Sequence, residues 1–201
     1  MPSLRLGSTA PDFEAQTTTG PIKFHEFIGD SWVILSSHPG VFTPVCTTEF
    51  GEVARRASEF SNRNVEVIGI SVNSLEDHYK WIQDINDYGS KVGPTDVRFP
   101  IDATNRNAKG LPFAIRSVFV IDPKKVIRLT ISYPASTGRN IDEILRLLGD
   151  KYCVTTPVNW KKGEDVIVHS TVSTEHAKEL FKDVTVHKRD ALKGMKRTFL
   201  Q

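Results

Sequence analysis

Val33-Ile34-Leu35 and the segment Val65 to Val72 are strand-length apolar runs, and each is followed by a stretch whose apolar residues recur at three- and four-residue spacing. Such alternation dictates a sheet with helices laid on it, because a helical stripe and a sheet face each need the other for burial. After the first run, Ser36-Ser37-His38-Pro39-Gly40 breaks regular structure. Thr43 is then a good N-cap, and Pro44 suits the first helical position, where its missing N–H is no loss. Phe50, Val53, Ala54, Ala57 and Phe60 form the apolar stripe of the ensuing helix, with Glu59 and Arg63 on its solvated face. Further along, the pattern predicts strands at Trp32–Ser36 and Val65–Val72 and a helix over Leu75–Tyr88. Strands at Ser117–Ile121 and Val126–Ser132 come next, joined by the turn Asp122-Pro123-Lys124-Lys125, and then a helix over Ile141–Leu148 opened by an Asn140/Glu143 capping box.

The order β-α-β-α-β-β-α is that of the thioredoxin-like α/β sandwich, one mixed sheet between helices. Beyond Pro157 the composition turns polar. A short strand at Val166–His169, a helix over Thr174–Phe181 and a strand at Val184–His187 are too little for an independent core. The expected organisation is a domain over residues 1–152 and a small C-terminal arm over 153–201, packed on the domain or on a second subunit. With 26 Lys and Arg against 24 Asp and Glu, interspersed, nothing points to nucleic acid or an acidic membrane surface. The basic stretch from Lys188-Arg189 to Lys196-Arg197 reads as a solvated tail. Two cysteines, no secretory leader pattern and no apolar run of spanning length lead to the expectation of a cytoplasmic protein without integral membrane association.

Cys46 falls on the third residue of its helix, directly after a strand and loop. A free cysteine is about 3% thiolate at neutral pH, and the thiolate is the nucleophile. Making it predominant takes roughly 3–4 kcal/mol, whereas a helix N-terminus supplies about 0.3–1 and at best about 2 kcal/mol. A cation brought close by tertiary structure is therefore required. Cys46 is followed by Thr47-Thr48-Glu49, so no second cysteine stands three residues on and a dithiol cycle of the thioredoxin type is excluded. The bland role for a lone cysteine is that of a small buried hydrophobe.

Pro39-Gly-Val-Phe-Thr43-Pro-Val-Cys46 resembles the P-x-x-x-T-x-x-C signature of the peroxiredoxins, the thiol peroxidases. The likeness extends through residues 6–13, 24–32, 133–140 and 156–160, where the chain is similar to the one-cysteine branch of the peroxiredoxin-six type. The resemblance implies that Arg116 is the missing cation and that Arg139 belongs to the same network, either stabilising charge directly or orienting Glu49 or capping a helix. It implies that Cys46, Thr43, Arg116 and Pro39 form the catalytic set, with His38, Glu49 and Arg139 in support. The Cys46 thiolate would attack a peroxide oxygen and become sulfenic acid. Pro39 would limit water access, or be an ordinary loop terminator. His38 would hydrogen-bond the substrate or leaving oxygen, or be a satisfied loop histidine. No bound cofactor or metal is implied. The expected partners are a peroxide, an external reductant that is a small thiol such as glutathione or a thiol protein, and a second copy in a homodimer.

The chain departs from the family in several places. Thr156 stands where two-cysteine relatives carry the resolving cysteine, and Cys153, three residues earlier, reads as a packing or surface residue. Gly40-Val41 replaces a more polar pair beside the pocket. About a helix's worth of sequence is missing after Asn107, and less after Leu148, which would uncover one sheet face. Some relatives hydrolyse phospholipids with a Gly-x-Ser-x-Gly serine. Here Gly29-Asp30-Ser31-Trp32-Val33 lacks the last glycine, His25 is retained and Asp122 is the nearest acid. A Cys46/His38 pair would also suit acyl transfer, and a holdase or redox-sensing oligomer would use Cys46 without peroxidase turnover.

Overall fold

The computed structural model describes residues 4–102, 116–148, 154–161, 163–168, 172–181, 184–186 and 196–199. They fall in two compact units, residues 1–141 and 142–201. The first contains β1 (Glu14–Thr17), β2 (Gly20–Lys23), α1 (Phe24–Ile28), β3 (Trp32–Ser37), α2 (Pro44–Arg55), α3 (Ala57–Ser61), β4 (Val65–Ile70), α4 (Leu75–Ser90), β5 (Ile101–Asp102), β6 (Arg116–Ile121) and β7 (Ile127–Tyr133). Its seven-stranded mixed sheet has the order β2-β1-β5-β4-β3-β6-β7. β3 runs parallel to β4 and antiparallel to β6, the thioredoxin-like arrangement that the element order implies.

Consecutive buried residues in the central strands, Val33 with Ile34 and Val67 with Ile68, require cover on both faces. On one face Val33 and Ile68 join Phe24 and Ile28 of α1, with Ile121 and Ile127. On the other, Cys46, Phe50 and Ala54 of α2 meet Trp81 and Ile85 of α4. Each large aromatic or aliphatic side chain among them contributes roughly 1.5–3 kcal/mol when taken from water. Phe50 lies so close on β4 that a Cβ at Gly69 would stand 2.6 Å from its ring, so only glycine fits there. A reciprocal capping box opens α4: the Asp77 amide donates to Ser74 Oγ and the Ser74 amide to Asp77 Oδ2.

Several elements differ from expectation. The helix expected to run on to Phe60 breaks at Arg56, whose ψ of 16 leaves helical geometry. Phe60 still reaches the core, while Ala57 turns out to solvent. Glu59 is half-buried and pairs with Arg56 at 2.8 Å, and its carbonyl accepts from Arg63. β4 stops at Ile70 because the Ser71 hydroxyl accepts the Asn73 amide and turns the chain toward α4. The hairpin turn forms where the sequence places it, with the Lys125 amide donating to the Asp122 carbonyl and Asp122 Oδ1 accepting from Val126. β1, β2, α1 and β5 carry no sequence pattern strong enough to predict them.

In the second unit α5 (Ile141–Leu147) begins at the boundary, followed by β8 (Val154–Thr155), β9 (Asp165–Val168), α6 (Thr174–Leu180), β10 (Thr185–Val186) and β11 (Lys196–Phe199). The strands form an antiparallel sheet of order β10-β11-β9-β8. Val168, Val172, Ala177 and Phe181 make a small core. Lys196–Phe199 is thus a strand rather than the end of a solvated tail, since it pairs with β9 on one side and β10 on the other. Cys153 and the shortened stretches after Asn107 and Leu148 lie outside the described residues.

Candidate active site

Thr43 occupies the N-cap of α2 with extended backbone, Pro44 is the first helical residue and Cys46 the third. The Thr43 hydroxyl does not cap the helix as expected. It donates instead to the Gly40 carbonyl at 3.2 Å, closing the preceding loop on itself. The first amide with an intrahelical acceptor is that of Thr47, on Thr43 O, so the Val45 and Cys46 amides remain available at the positive end of the helix.

The required cation is present. Arg116 opens β6, which lies antiparallel beside β3, and this pairing delivers its guanidinium to the start of α2. Arg116 Nη1 donates to Cys46 Sγ at 3.2 Å and to Glu49 Oε2 at 2.8 Å, while Nε donates to the Ala135 carbonyl. Glu49 shares a helix face with Cys46, three residues on. Its carboxylate also accepts from Arg139, through the backbone amide at 2.7 Å and Nη1 at 2.5 Å. Arg139 Nη2 in turn donates to the Ser37 carbonyl. Arg139 thus donates to both oxygens of the Glu49 carboxylate. Burial draws the Arg139 pKa below the usual value, and the Glu49 carboxylate opposes that shift.

Cys46 is 0% exposed, Arg116 2% and Glu49 5%. In such surroundings uncompensated charge is expensive. Two guanidinium groups against one carboxylate leave a surplus of one positive charge beside the sulfur. Cys46 has no exposed surface, and Val41 of the preceding loop packs against the buried cluster to which Cys46 belongs.

His38 is brought near but not into the polar network. It is 0% exposed, neither ring nitrogen has a hydrogen-bond partner among the described residues, and its ring packs against Phe50, Trp81 and His78. Burial, then the proximity of His78, lowers its pKa to about 3, so it is neutral at physiological pH. Pro39 is half-buried at the loop's start. Trp81 was absent from the expected site, yet its Nε1 donates to Thr47 Oγ1, which donates to Thr43 O. Its place on the buried stripe of α4 was the available signal.

The residues that a phospholipid hydrolase would need are engaged separately. Ser31 donates to Asn64, His25 Nε2 contacts the Ala10 carbonyl, and Asp122 pairs with Arg128. Thr156 accepts from Arg146 within the second unit.

A cysteine in the first turn of the leading helix of a thioredoxin-like sheet, bonded to an arginine, defines a thiol enzyme of the thioredoxin-like class. The model of the AhpC/TSA family matches residues 6–130, and that of the C-terminal domain of 1-Cys peroxiredoxin matches residues 148–183. The chain is 48% identical over 198 residues to peroxiredoxin-6 of Rattus norvegicus and to that of Homo sapiens, covering 89% of this chain and 88% of each relative. Among solved structures it is similar to a cysteine-to-serine mutant of the peroxiredoxin 6 of Arenicola marina, with TM-score 0.80, 36% identity and 99% of both chains covered. A yeast mitochondrial 1-Cys peroxiredoxin, studied for its thiol resolving mechanism via the glutathione/thioredoxin systems, matches with TM-score 0.78 and 42% identity over 98% of this chain and 100% of that one. The chain belongs to the peroxiredoxins, in their 1-Cys branch, and is a thiol-dependent peroxidase. No helix among the described residues is long and apolar enough to cross a membrane.

Proposed function

We propose that Cys46 reduces hydrogen peroxide and organic or lipid hydroperoxides, and that an external thiol regenerates it. The observation that carries this reading is the 3.2 Å contact of Arg116 Nη1 with the sulfur. The thiolate attacks one peroxide oxygen, the O–O bond breaks, and the other oxygen leaves as water or alcohol after taking a proton, while sulfur becomes sulfenic acid. A more stable thiolate is a weaker nucleophile, with a Brønsted slope near 0.4–0.5, so the site must also stabilise the transition state. Arg116 and the Val45 and Cys46 amides supply donors where charge moves toward the leaving oxygen. The Thr43 hydroxyl, committed as donor to Gly40, keeps lone pairs to accept the peroxide proton. Glu49 and Arg139 hold Arg116 in place, Pro39 restricts water, and neutral His38 contributes at most a hydrogen bond.

In the return step a small thiol such as glutathione, or a thiol protein, attacks the sulfenic sulfur. Water leaves, a mixed disulfide forms, and a second thiol releases the Cys46 thiolate. The work proceeds in the cytoplasm as part of antioxidant defence. Residues 1–152 form the peroxidase domain, residues 153–201 an arm associated with a homodimer. Intact-mass measurement after one equivalent of hydrogen peroxide tests the cycle: one added oxygen, lost in Cys46→Ser, supports it, and a Cys46–Cys153 crosslink refutes it. Sedimentation as a monomer at micromolar concentration refutes the homodimer.

A further inference from the structure

Resting on Cys46 as the reactive thiol, we propose that Asn73 is a positioning residue, the latch that sets how long the loop from His38 to Thr43 stays closed over that sulfur. Asn73 lies in the connection from β4 to α4, thirty-two residues from Val41. Its Oδ1 accepts the Val41 amide at 3.2 Å and the Ser71 hydroxyl at 3.3 Å, and its own amide donates to Ser71 Oγ. Ser71 Oγ also meets His78 Nε2 at 2.9 Å in the interior. With the Ser71 proton directed at Asn73, His78 Nε2 carries a hydrogen and donates to the Ser71 oxygen. Burial lowers the His78 pKa to about 4, which keeps that neutral form across the physiological range.

α4 thereby holds the loop at two points. Through His78, Ser71 and Asn73 it fixes the middle, at Val41. Through Trp81 and Thr47 it fixes the end, at the Thr43 carbonyl. Between the two anchors sits Phe42, half-exposed and at φ +56, a conformation that a bulky L-residue adopts only under constraint. The loop is consequently held against its own backbone preference, and the Val41 tie is the point at which it releases. Gly40 and Val41 bring no charged side chain that replaces the tie. Closed, the loop keeps Thr43 bonded to Gly40 and the sulfur covered. Open, it admits reagents larger than a peroxide.

The latch therefore acts with opposite sign on two rates. Peroxide reduction needs the closed arrangement of Thr43 and Arg116, whereas a bulky thiol-directed reagent needs the open one. One backbone hydrogen bond shifts such an equilibrium by about 3- to 10-fold. In Asn73→Ala, alkylation of Cys46 by iodoacetamide, read on the tryptic peptide containing it, is expected to accelerate about 3- to 10-fold. Hydrogen exchange at the Val41 amide is expected to accelerate likewise, and the second-order rate with hydrogen peroxide to fall, by no more than about 2-fold while the closed state predominates. Asn73→Asp, which keeps an acceptor oxygen at the same place, is expected to return all three to near the parent values. Unchanged alkylation and exchange in Asn73→Ala, movement of peroxide and alkylation rates in the same direction, or no rescue by Asn73→Asp each overturns the proposal. Alkylation and exchange do not depend on peroxidase activity, so this result stands apart from the outcome for Cys46→Ser.

Discussion

Replacing Arg116 by Met separates the two ways in which a cation assists a thiol. At 3.2 Å from the sulfur, and with an effective dielectric near 20, the pair is worth up to about 5 kcal/mol. Met fills much of the volume, and Glu49 keeps Arg139, so the fold has no orphaned carboxylate. If Arg116 only ionised the sulfur, its loss would return the thiolate to about 3% at neutral pH, a roughly 30-fold deficit. The more basic thiolate would regain about 10-fold in intrinsic reactivity at a slope of 0.4–0.5, leaving a net loss near 3-fold. Losing a donor aimed at the transition state costs about 10²–10³ more. The expected total at neutral pH is on the order of 10³-fold in the second-order rate of sulfenic acid formation. Stopped-flow fluorescence with hydrogen peroxide across pH reads both contributions. In alkali the ionisation deficit vanishes, yet a loss of at least about 10-fold is expected to persist. A variant within tenfold of the parent at neutral pH that overtakes it in alkali refutes the transition-state role of Arg116.

Acid is expected to weaken the fold through the buried His38 and His78, with pKa values of about 3 and about 4. Both lie below the unfolded value near 6.5, so between roughly pH 6.5 and 3 the unfolded chain binds protons that the fold refuses, and stability drops as pH falls. At about pH 5 His38 alone accounts for about 2 kcal/mol; a urea midpoint no lower there than at neutral pH contradicts this. Glu49→Gln leaves two buried guanidinium groups without their carboxylate and is expected to cost about 3–5 kcal/mol, read from urea unfolding; a loss under about 1 kcal/mol refutes the charge argument. Gly69→Ala drives a methyl to 2.6 Å from Phe50 and is expected to cost about 1–3 kcal/mol, checked by the same transition. Ser74→Ala removes the α4 cap for about 1 kcal/mol, seen as a lower Tm.

Elements with a strong local period were legible. Trp32–Ser37, Leu75–Ser90 and the β6–β7 hairpin lie within two residues of their predicted bounds because apolar spacing and turn residues fix them locally. β5 has two residues and exists because Gly69 and Ile70 on one side and Thr17 on the other offer it partners, a long-range cause that no window on residues 101–102 contains. Arg56 shows the converse: its stripe continued in sequence, while its backbone turned. At the site, the energy demanded by a thiolate showed that a cation was needed, and family likeness gave it as Arg116. Arg139 bonds both oxygens of Glu49 while its charge also interacts with Cys46, so both roles open to it in the sequence are compatible with its place. The Thr43 hydroxyl was misassigned to the helix because its competing acceptor, Gly40 O, lies on the loop behind it.

The single guanidinium nitrogen that Cys46 and Glu49 share also governs the fate of the oxidised sulfur. Once the sulfur is a protonated sulfenic acid it no longer counters the second guanidinium, and the pocket regains an unbalanced positive field. That field favours the approach of an anion over a neutral molecule. A reductant arriving in its deprotonated form would be drawn by that field, and a neutral one would not.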